Sequence, residues 1–159
     1  MRILRENGDL MEYTTLCYIE KDNKYLMLYR NKKKTDLNKG KWLGIGGHIE
    51  EGEDPNQCLL REAKEETGLT LLNYKLRGKL HFYIDDIYEV SYLYTCDEFM
   101  GDLIECDEGI LEWVDKTKIL ELNLWQGDYL FLKKLIKDEP YFEMKLVYLH
   151  DQLIDWSFL

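Results

Sequence analysis

Residues Gly47–Leu69 read GHIEEGEDPNQCLLREAKEETGL, and the rest of the chain is best understood outward from this stretch. Asp54 is placed to cap a helix. Pro55 suits the first helical position, where no amide hydrogen is needed, and Gly68 suits the left-handed position just past the end. The spacing predicts a helix over Pro55–Thr67, about 19 Å long. At about 100° per residue, Leu59, Leu60, Ala63 and Thr67 share one arc, the face expected to be buried. With Glu62 set at 0°, Glu65 falls at about 300° and Glu66 at about 40°, so three carboxylates crowd an arc of about 100° beside that face. Like charges so close repel, and a hard divalent cation held by carboxylate oxygens is the natural compensation. Mg²⁺ typically takes one or two carboxylates together with substrate phosphates. Arg61, one turn before Glu65, contributes only a few tenths of a kcal/mol as an isolated pair, so its better use is to orient a carboxylate.

Upstream, Tyr13–Glu20 mixes β-branched, aromatic and apolar residues and reads as a strand; Asp22-Asn23 turns it into a second, Tyr25–Arg30, forming a hairpin. Asn31–Lys41 is polar and lysine-rich, a loop, and Trp42–Ile45 is a short apolar run ending at Gly46-Gly47. Downstream, strand-like segments are expected at about Leu76–Ile84, Tyr88–Cys96 and Gly109–Val114. A second helix is expected at about Gln126–Lys137, then a closing hairpin of Tyr141–Tyr148 and Leu153–Trp156. Strands, helix, strands, helix, strands point to an α+β chain with antiparallel neighbours rather than a regular βαβ alternation.

Composition bounds the function. A chain of 159 residues with 45% apolar and 13% aromatic content is expected to form one globular domain, residues 1–159, rather than a disordered segment. No apolar run approaches the roughly 18 residues of a membrane helix, and the opening MRILRENGDL is too charged for a secretory signal. Cys17, Cys58, Cys96 and Cys106 show neither a CxxC pair nor zinc spacing, and read as reduced thiols of a cytoplasmic protein. The net charge of −10 argues against a polymeric nucleic acid partner, whose binding rests on Lys and Arg contacts to many phosphates. A small phosphorylated ligand remains compatible if a metal ion supplies the positive charge.

The spacing of the central stretch is G, five residues, E, seven residues, then R-E-apolar-x-E-E-x-G-apolar. Gly47, Glu53, Arg61, Glu62, Ala63, Glu65, Glu66, Gly68 and Leu69 all stand in place. A chance match anywhere in such a chain is on the order of 10⁻⁶. The sequence therefore resembles the Nudix hydrolases and meets their 23-residue signature without a departure. The resemblance implies a mixed β-sheet sandwiched between helices (α/β/α), with the signature as loop–helix–loop. It also implies Mg²⁺-dependent hydrolysis, Mn²⁺ being a possible substitute, of a diphosphate bond in a nucleoside diphosphate linked to another moiety. By the same resemblance Glu62, Glu65 and Glu66 are metal ligands or the water-activating base, and the Gly46 carbonyl completes the metal shell. Gly47, Glu53, Arg61 and Gly68 are the structural part of the motif.

Outside the signature the chain resembles the MutT-like branch that hydrolyses purine nucleoside triphosphates such as 8-oxo-dGTP to the monophosphate and pyrophosphate. The strings that carry this are KGKWLGIGGHIEEGE, ECDEGILEW and LWQGD. Glu108 matches a further acidic ligand or base, with Glu105 and Asp107 as rivals. Trp125 and Asp128 match an aromatic plate and a carboxylate of a purine pocket, and Thr15 and Arg30 align with pocket positions. Two departures bear on specificity. Leu43 stands where the best-known purine reader has an asparagine, and Gly127 replaces a second carboxylate. Both remove hydrogen-bonding capacity, so weaker or differently organised purine selectivity is expected. Lys32, Lys33, Lys34, Lys39 and Lys41 precede the glycines and are either a solvated run or a reach toward a triphosphate tail. ADP-ribose, a dinucleoside polyphosphate or an RNA 5′ end are alternative substrates. A non-catalytic nucleotide sensor is disfavoured because every signature glutamate is kept.

Overall fold

The structure, a computed structural model, describes residues 2–4 and 10–159; the rest of the charged opening segment lies outside the described residues. In chain order the strands are β1 (Arg2–Leu4), β2 (Leu10–Lys21), β3 (Lys24–Arg30), β4 (Trp42–Leu43) and β5 (Ile45–His48). Helix α1 (Pro55–Thr67) leads to β6 (Thr70–Ile84), β7 (Ile87–Met100) and β8 (Gly109–Asp115). A 3₁₀ turn at Ile119–Glu121 precedes α2 (Asp128–Ile136), and β9 (Phe142–Leu149) and β10 (Gln152–Phe158) close the chain.

The sheet is mixed. β2 runs parallel to β7 from Leu10↔Ile87 to Ile19↔Cys96, and β6 runs parallel to β9, while β6–β7 and β9–β10 are antiparallel. The other edge of β2 is shared: β1 meets its start, β5 pairs residues Thr14–Cys17, and β3 meets its hairpin end. β3 carries β8 and β4 as a further ladder. The β2–β3 hairpin turns on Asp22 and Asn23, both at positive φ (52° and 60°), which short polar side chains tolerate and a twisted hairpin favours.

Alternation along β2 separates two cores. Cys17 and Ile19 point to the face covered by α1, packing with Ile45, Leu59, Ala63 and Leu69. Tyr18 points to the face covered by α2, packing with Phe131, Leu132, Met144 and Leu146. The sheet is thus sandwiched between two helices, the α/β/α arrangement the resemblance implies and the α+β class read from the order of elements.

Helix α1 starts and stops where its sequence signals place it. Asp54 accepts from the Gln57 amide at 2.8 Å while the Gln57 side chain accepts from the Asp54 amide at 2.9 Å, a closed capping box. Gly68 ends the helix at φ +81° and returns its amide to Lys64. Elsewhere bounds shift. β6 begins at Thr70, because irregularities between Leu71 and Asn73 and between Leu76 and Gly78 let the strand continue through a polar stretch. α2 starts at Asp128 rather than Gln126: the Gln126 side chain accepts the Leu153 amide and the Gly127 amide donates to the Tyr148 hydroxyl, so both are held outside the helix. All four cysteines are free and buried. Among the described residues no helix is long and apolar enough to cross a membrane.

Candidate active site

A cavity of about 670 Å³ opens on the face of β2 that carries Thr14 and Leu16. This is within the size range of pockets that enclose small ligands. Its floor includes Gly46 and Gly47 of β5; Glu62 and Glu66 reach it from α1, Glu108 from the turn before β8, and Trp125 and Asp128 from the entry to α2.

The acidic group comes together through α1 packing on β5. Glu66 is only 8% exposed, and burial, reinforced by Glu108 and Glu62, pushes its carboxyl well above the ordinary range. Glu108 receives Arg30 Nη1 at 3.1 Å and Lys33 Nζ at 3.6 Å. Of its two rivals, Glu105 is exposed and paired with Lys32, and Asp107 is exposed; neither lines the cavity. Glu65 stands apart from Glu62 and Glu66: it is 59% exposed, lies outside the cavity lining, and meets Arg61 Nη1 at 3.3 Å.

Arg61 is the hub that fixes this geometry. Its Nε and Nη2 donate to the two oxygens of Glu53 at 2.7 and 3.0 Å. Nη1 donates to Glu62 at 2.7 Å, and Nη2 also donates to the His48 carbonyl at 3.1 Å. The Arg61 guanidinium holds the Glu53 carboxyl down to about 2. Glu53 in turn accepts from the Glu50 amide, tying the loop before α1 to the helix. The resemblance implies a divalent metal ion, and Glu62, Glu66 and Glu108 line one cavity with hard oxygens that suit one. A Cβ on Gly47 would lie 2.5 Å from the Glu62 carboxylate, so only glycine lets that carboxylate sit against β5.

At the aromatic end, the Trp125 indole donates Nε1–H to Asn38 Oδ1 at 2.8 Å, lies edge-on to Tyr148 and carries Lys41 Nζ 5.0 Å from its centroid. Asp128 is 5% exposed, and burial pushes its carboxyl up to about 8 against the opposing pull of Lys41. Leu43 lines the same cavity. A side chain at position 127 would run into Leu146 and the Tyr148 hydroxyl, so the space of a second carboxylate is already filled.

Two expected pocket positions are present in the lining but differently used. Thr14 and Thr15 both line the cavity, but the Thr15 hydroxyl lies 3.3 Å from Cys58 Sγ on the α1 side of the sheet, while the Thr14 hydroxyl donates to Glu89 at 3.3 Å. A shift of one residue in a strand exchanges faces. Arg30 lines the cavity, but its guanidinium is committed to Asp36 and Glu108. In the lysine-rich loop, Lys32 donates to the Cys106 carbonyl at 2.7 Å, so it ties the loop to the Glu108 turn.

Sequence reasoning missed Tyr148, Asn38 and a group formed by Glu12, His48 and Glu89. One ligand atom from each of those three lies within 4.8 Å of the others, with His48 Nε2 3.0 Å from Glu12 Oε2. Its only trace in the sequence is polar residues inside strands; the β2–β7 register sets Glu12 beside Glu89, and β5 brings His48 from the other side.

Comparison with known proteins matches residues 12–135 to the NUDIX domain. An uncharacterized Nudix hydrolase, YvcI of Bacillus subtilis, is 29% identical over 81% of this chain and 82% of its own length. An oxidized purine nucleoside triphosphate hydrolase of Danio rerio is 28% identical over 77% of this chain and 80% of its own. Among solved structures, the mutator MutT protein from Bacillus halodurans superposes with a TM-score of 0.84 at 25% identity, covering 92% of this chain and 97% of that one.

Proposed function

The chain belongs to the Nudix family and is a Nudix pyrophosphohydrolase; from that premise we propose that it acts, with Mg²⁺, on a purine nucleoside triphosphate, oxidised forms such as 8-oxo-dGTP included. The products are the nucleoside monophosphate and pyrophosphate. The observation that carries this reading is the joining, in one cavity, of the Glu62–Glu66–Glu108 wall to the Trp125 plate and the buried Asp128. The similarity to the oxidized purine hydrolase of Danio rerio supports it.

Each group then has a task. Glu62, Glu66 and Glu108 would hold the metal, with Glu65 and the Gly46 carbonyl as the remaining candidates. When bound, Mg²⁺ neutralises charge on the phosphoryl oxygens and lowers the pKa of water. A water oxygen forms the new bond to phosphorus, the bridging P–O bond breaks with its electron pair leaving on pyrophosphate, and a carboxylate of the wall takes the water proton. Arg61 keeps Glu62 turned to the cavity and Glu53 keeps Arg61 in place. Lys33 Nζ, 3.6 Å from Glu108, lies nearest the metal-holding wall as a counter-charge for the phosphate tail, whereas Lys41 lies over Trp125 at the base end.

Trp125 offers a flat face to a purine. Asp128, held neutral near neutral pH by burial, has both a donor and an acceptor oxygen to offer a base edge. With Leu43 apolar and Gly127 lacking a side chain, Asp128 does this without the neighbours of the best-known purine reader. Discrimination between oxidised and ordinary purines is therefore modest.

The test is product release with Mg²⁺ from 8-oxo-dGTP, dGTP, the other nucleoside triphosphates and ADP-ribose. Purine triphosphates are expected to lead, with pyrophosphate as the co-product. Preference for ADP-ribose with release of ribose phosphate would overturn the substrate class. A preference for 8-oxo-dGTP over dGTP of several orders of magnitude in kcat/KM would overturn the argument from Leu43 and Gly127. Tight nucleotide binding with no metal-dependent turnover would point to a sensor.

A further inference from the structure

The loop between β3 and β4 is largely exposed and rich in lysine, yet the side chain of Asp36 within it is only 6% exposed. Both of its oxygens are used. Arg30 grips them as a fork, Nε to Oδ2 at 2.8 Å and Nη2 to Oδ1 at 3.2 Å. Oδ1 also accepts the Asn38 amide at 3.0 Å.

Each contact continues to a different part of the site. The guanidinium is planar and rigid, so fixing Nε and Nη2 on Asp36 fixes where Nη1 points, and Nη1 lies 3.1 Å from Glu108 Oε2. On the other arm, Asn38 turns its Oδ1 to the Trp125 indole N–H at 2.8 Å, which sets the plane of the ring. The loop is also clamped to the segment before α2. The Asn123 side chain donates to the Gly40 carbonyl at 2.8 Å, and the Trp42 amide donates to the Asn123 carbonyl at 3.1 Å. Asp36 thus sits between the segments that carry Glu108 and Trp125.

We propose that Asp36 is a positioning residue that aligns Glu108 through Arg30 and Trp125 through Asn38, joining the metal-holding and base-holding ends of the cavity in one chain of hydrogen bonds and an ion pair. The proposal rests on the reading of Glu108 and Trp125 given above. It makes the two arms separable. Loss of the Asn38 side chain frees the indole alone. Loss of the Asp36 charge loosens Glu108 alone, because an asparagine there still accepts the Asn38 amide. Loss of the whole Asp36 side chain releases both.

The experiment compares N38A, D36N and D36A with the wild type by three measurements. These are kcat and KM for dGTP with Mg²⁺, Mn²⁺ affinity of the nucleotide-free protein followed by electron paramagnetic resonance, and the Trp125 contribution to emission, taken as the difference from W125F. N38A is expected to raise KM about 5–10-fold and alter the Trp125 emission, with kcat and Mn²⁺ affinity within about 2-fold. D36N is expected to lower kcat and Mn²⁺ affinity about 10-fold or more while keeping KM and the Trp125 emission, in the range of groups that orient metal ligands. D36A combines both patterns; if it does not fold, N38A and D36N carry the test. Unchanged Mn²⁺ affinity and kcat in D36N, or the same pattern in N38A and D36N, overturns the proposal. A wild type that turns over no nucleotide, yet shows these differences in Mn²⁺ affinity and emission, fails the substrate reading and leaves the linkage standing.

Discussion

Replacing Asp128 with asparagine removes a titrating group from the base of α2, and its effect on stability must depend on pH. Burial pushes the Asp128 carboxyl up to about 8, whereas an unfolded aspartate titrates near 3.9. Between those values the unfolded chain has released the proton and the folded one retains it, so folding loses stability as pH rises through the window. The contribution is fully present below about pH 4 and gone above about pH 8. At about 1.36 kcal/mol per unit, the cost of this one group grows by about 3–4 kcal/mol between pH 5 and pH 8. Asparagine keeps the size and does not titrate. Urea unfolding of the wild type and D128N at pH 5, 6, 7 and 8 therefore gives curves that diverge, with D128N gaining on the wild type as pH rises. With a urea m value of about 2 kcal/mol/M, the relative shift in midpoint across the range is about 1.5–2 M. All other titrating groups are shared by the two proteins and cancel in the difference. Parallel pH–stability curves would refute the reasoning, because they would mean that Asp128 ionises in the folded state much as it does in the unfolded chain.

E66Q removes the Glu66 carboxyl from the proposed metal-holding wall and is expected to lower kcat about 10³-fold, the equivalent of several kcal/mol, without loss of fold; steady-state turnover with circular dichroism checks this. Chelation with EDTA is expected to abolish turnover in the wild type and added Mg²⁺ to restore it, as read by product release. W125A removes the stacking plate and is expected to raise KM for purine triphosphates by about 10-fold or more, given about 1–3 kcal/mol for a stacked base, with a smaller effect on kcat. R61A strands Glu53 and releases Glu62, so both kcat and the urea midpoint fall, the latter by about 2 kcal/mol in stability. R61K restores the charge without the two-pronged grip and recovers the stability better than the rate.

Sequence carries α1 and its surroundings well because the signals there are local. The cap at Asp54, the stop at Gly68 and the arc of Glu62, Glu65 and Glu66 all follow from spacing along a single helix. Which part of that arc faces the cavity does not: packing of α1 on β5 turns Glu66 inward and leaves Glu65 outside, paired with Arg61. Strand parity is equally fragile. Thr14 and Thr15 are adjacent and identical in type, and only the register with β5 and β7 decides which hydroxyl meets the cavity. The Glu12–His48–Glu89 group and the path from Glu108 through Asp36 to Trp125 join residues far apart in the chain. They exist only after strand pairing and loop docking, so no local spacing announces them. Arg30 illustrates the loss: in sequence it is a charge at a strand end, and in the fold it is the link between two carboxylates.

The two parallel ladders have a kinetic consequence. Leu10 pairs with Ile87 and Gly78 with Phe142, so each ladder closes a long loop before its contacts repay the lost chain entropy. Refolding on the millisecond-to-second scale typical of distant strand pairing follows. The order of synthesis adds to this. Tyr148, whose hydroxyl receives the Gly127 amide and whose ring meets Trp125, lies on β9, made after α2. Until β9 docks beside β6, the Trp125 end of the cavity lacks its backing. A ribosome-bound chain can thus complete α1 and its carboxylates well before the Trp125 end of the cavity is closed.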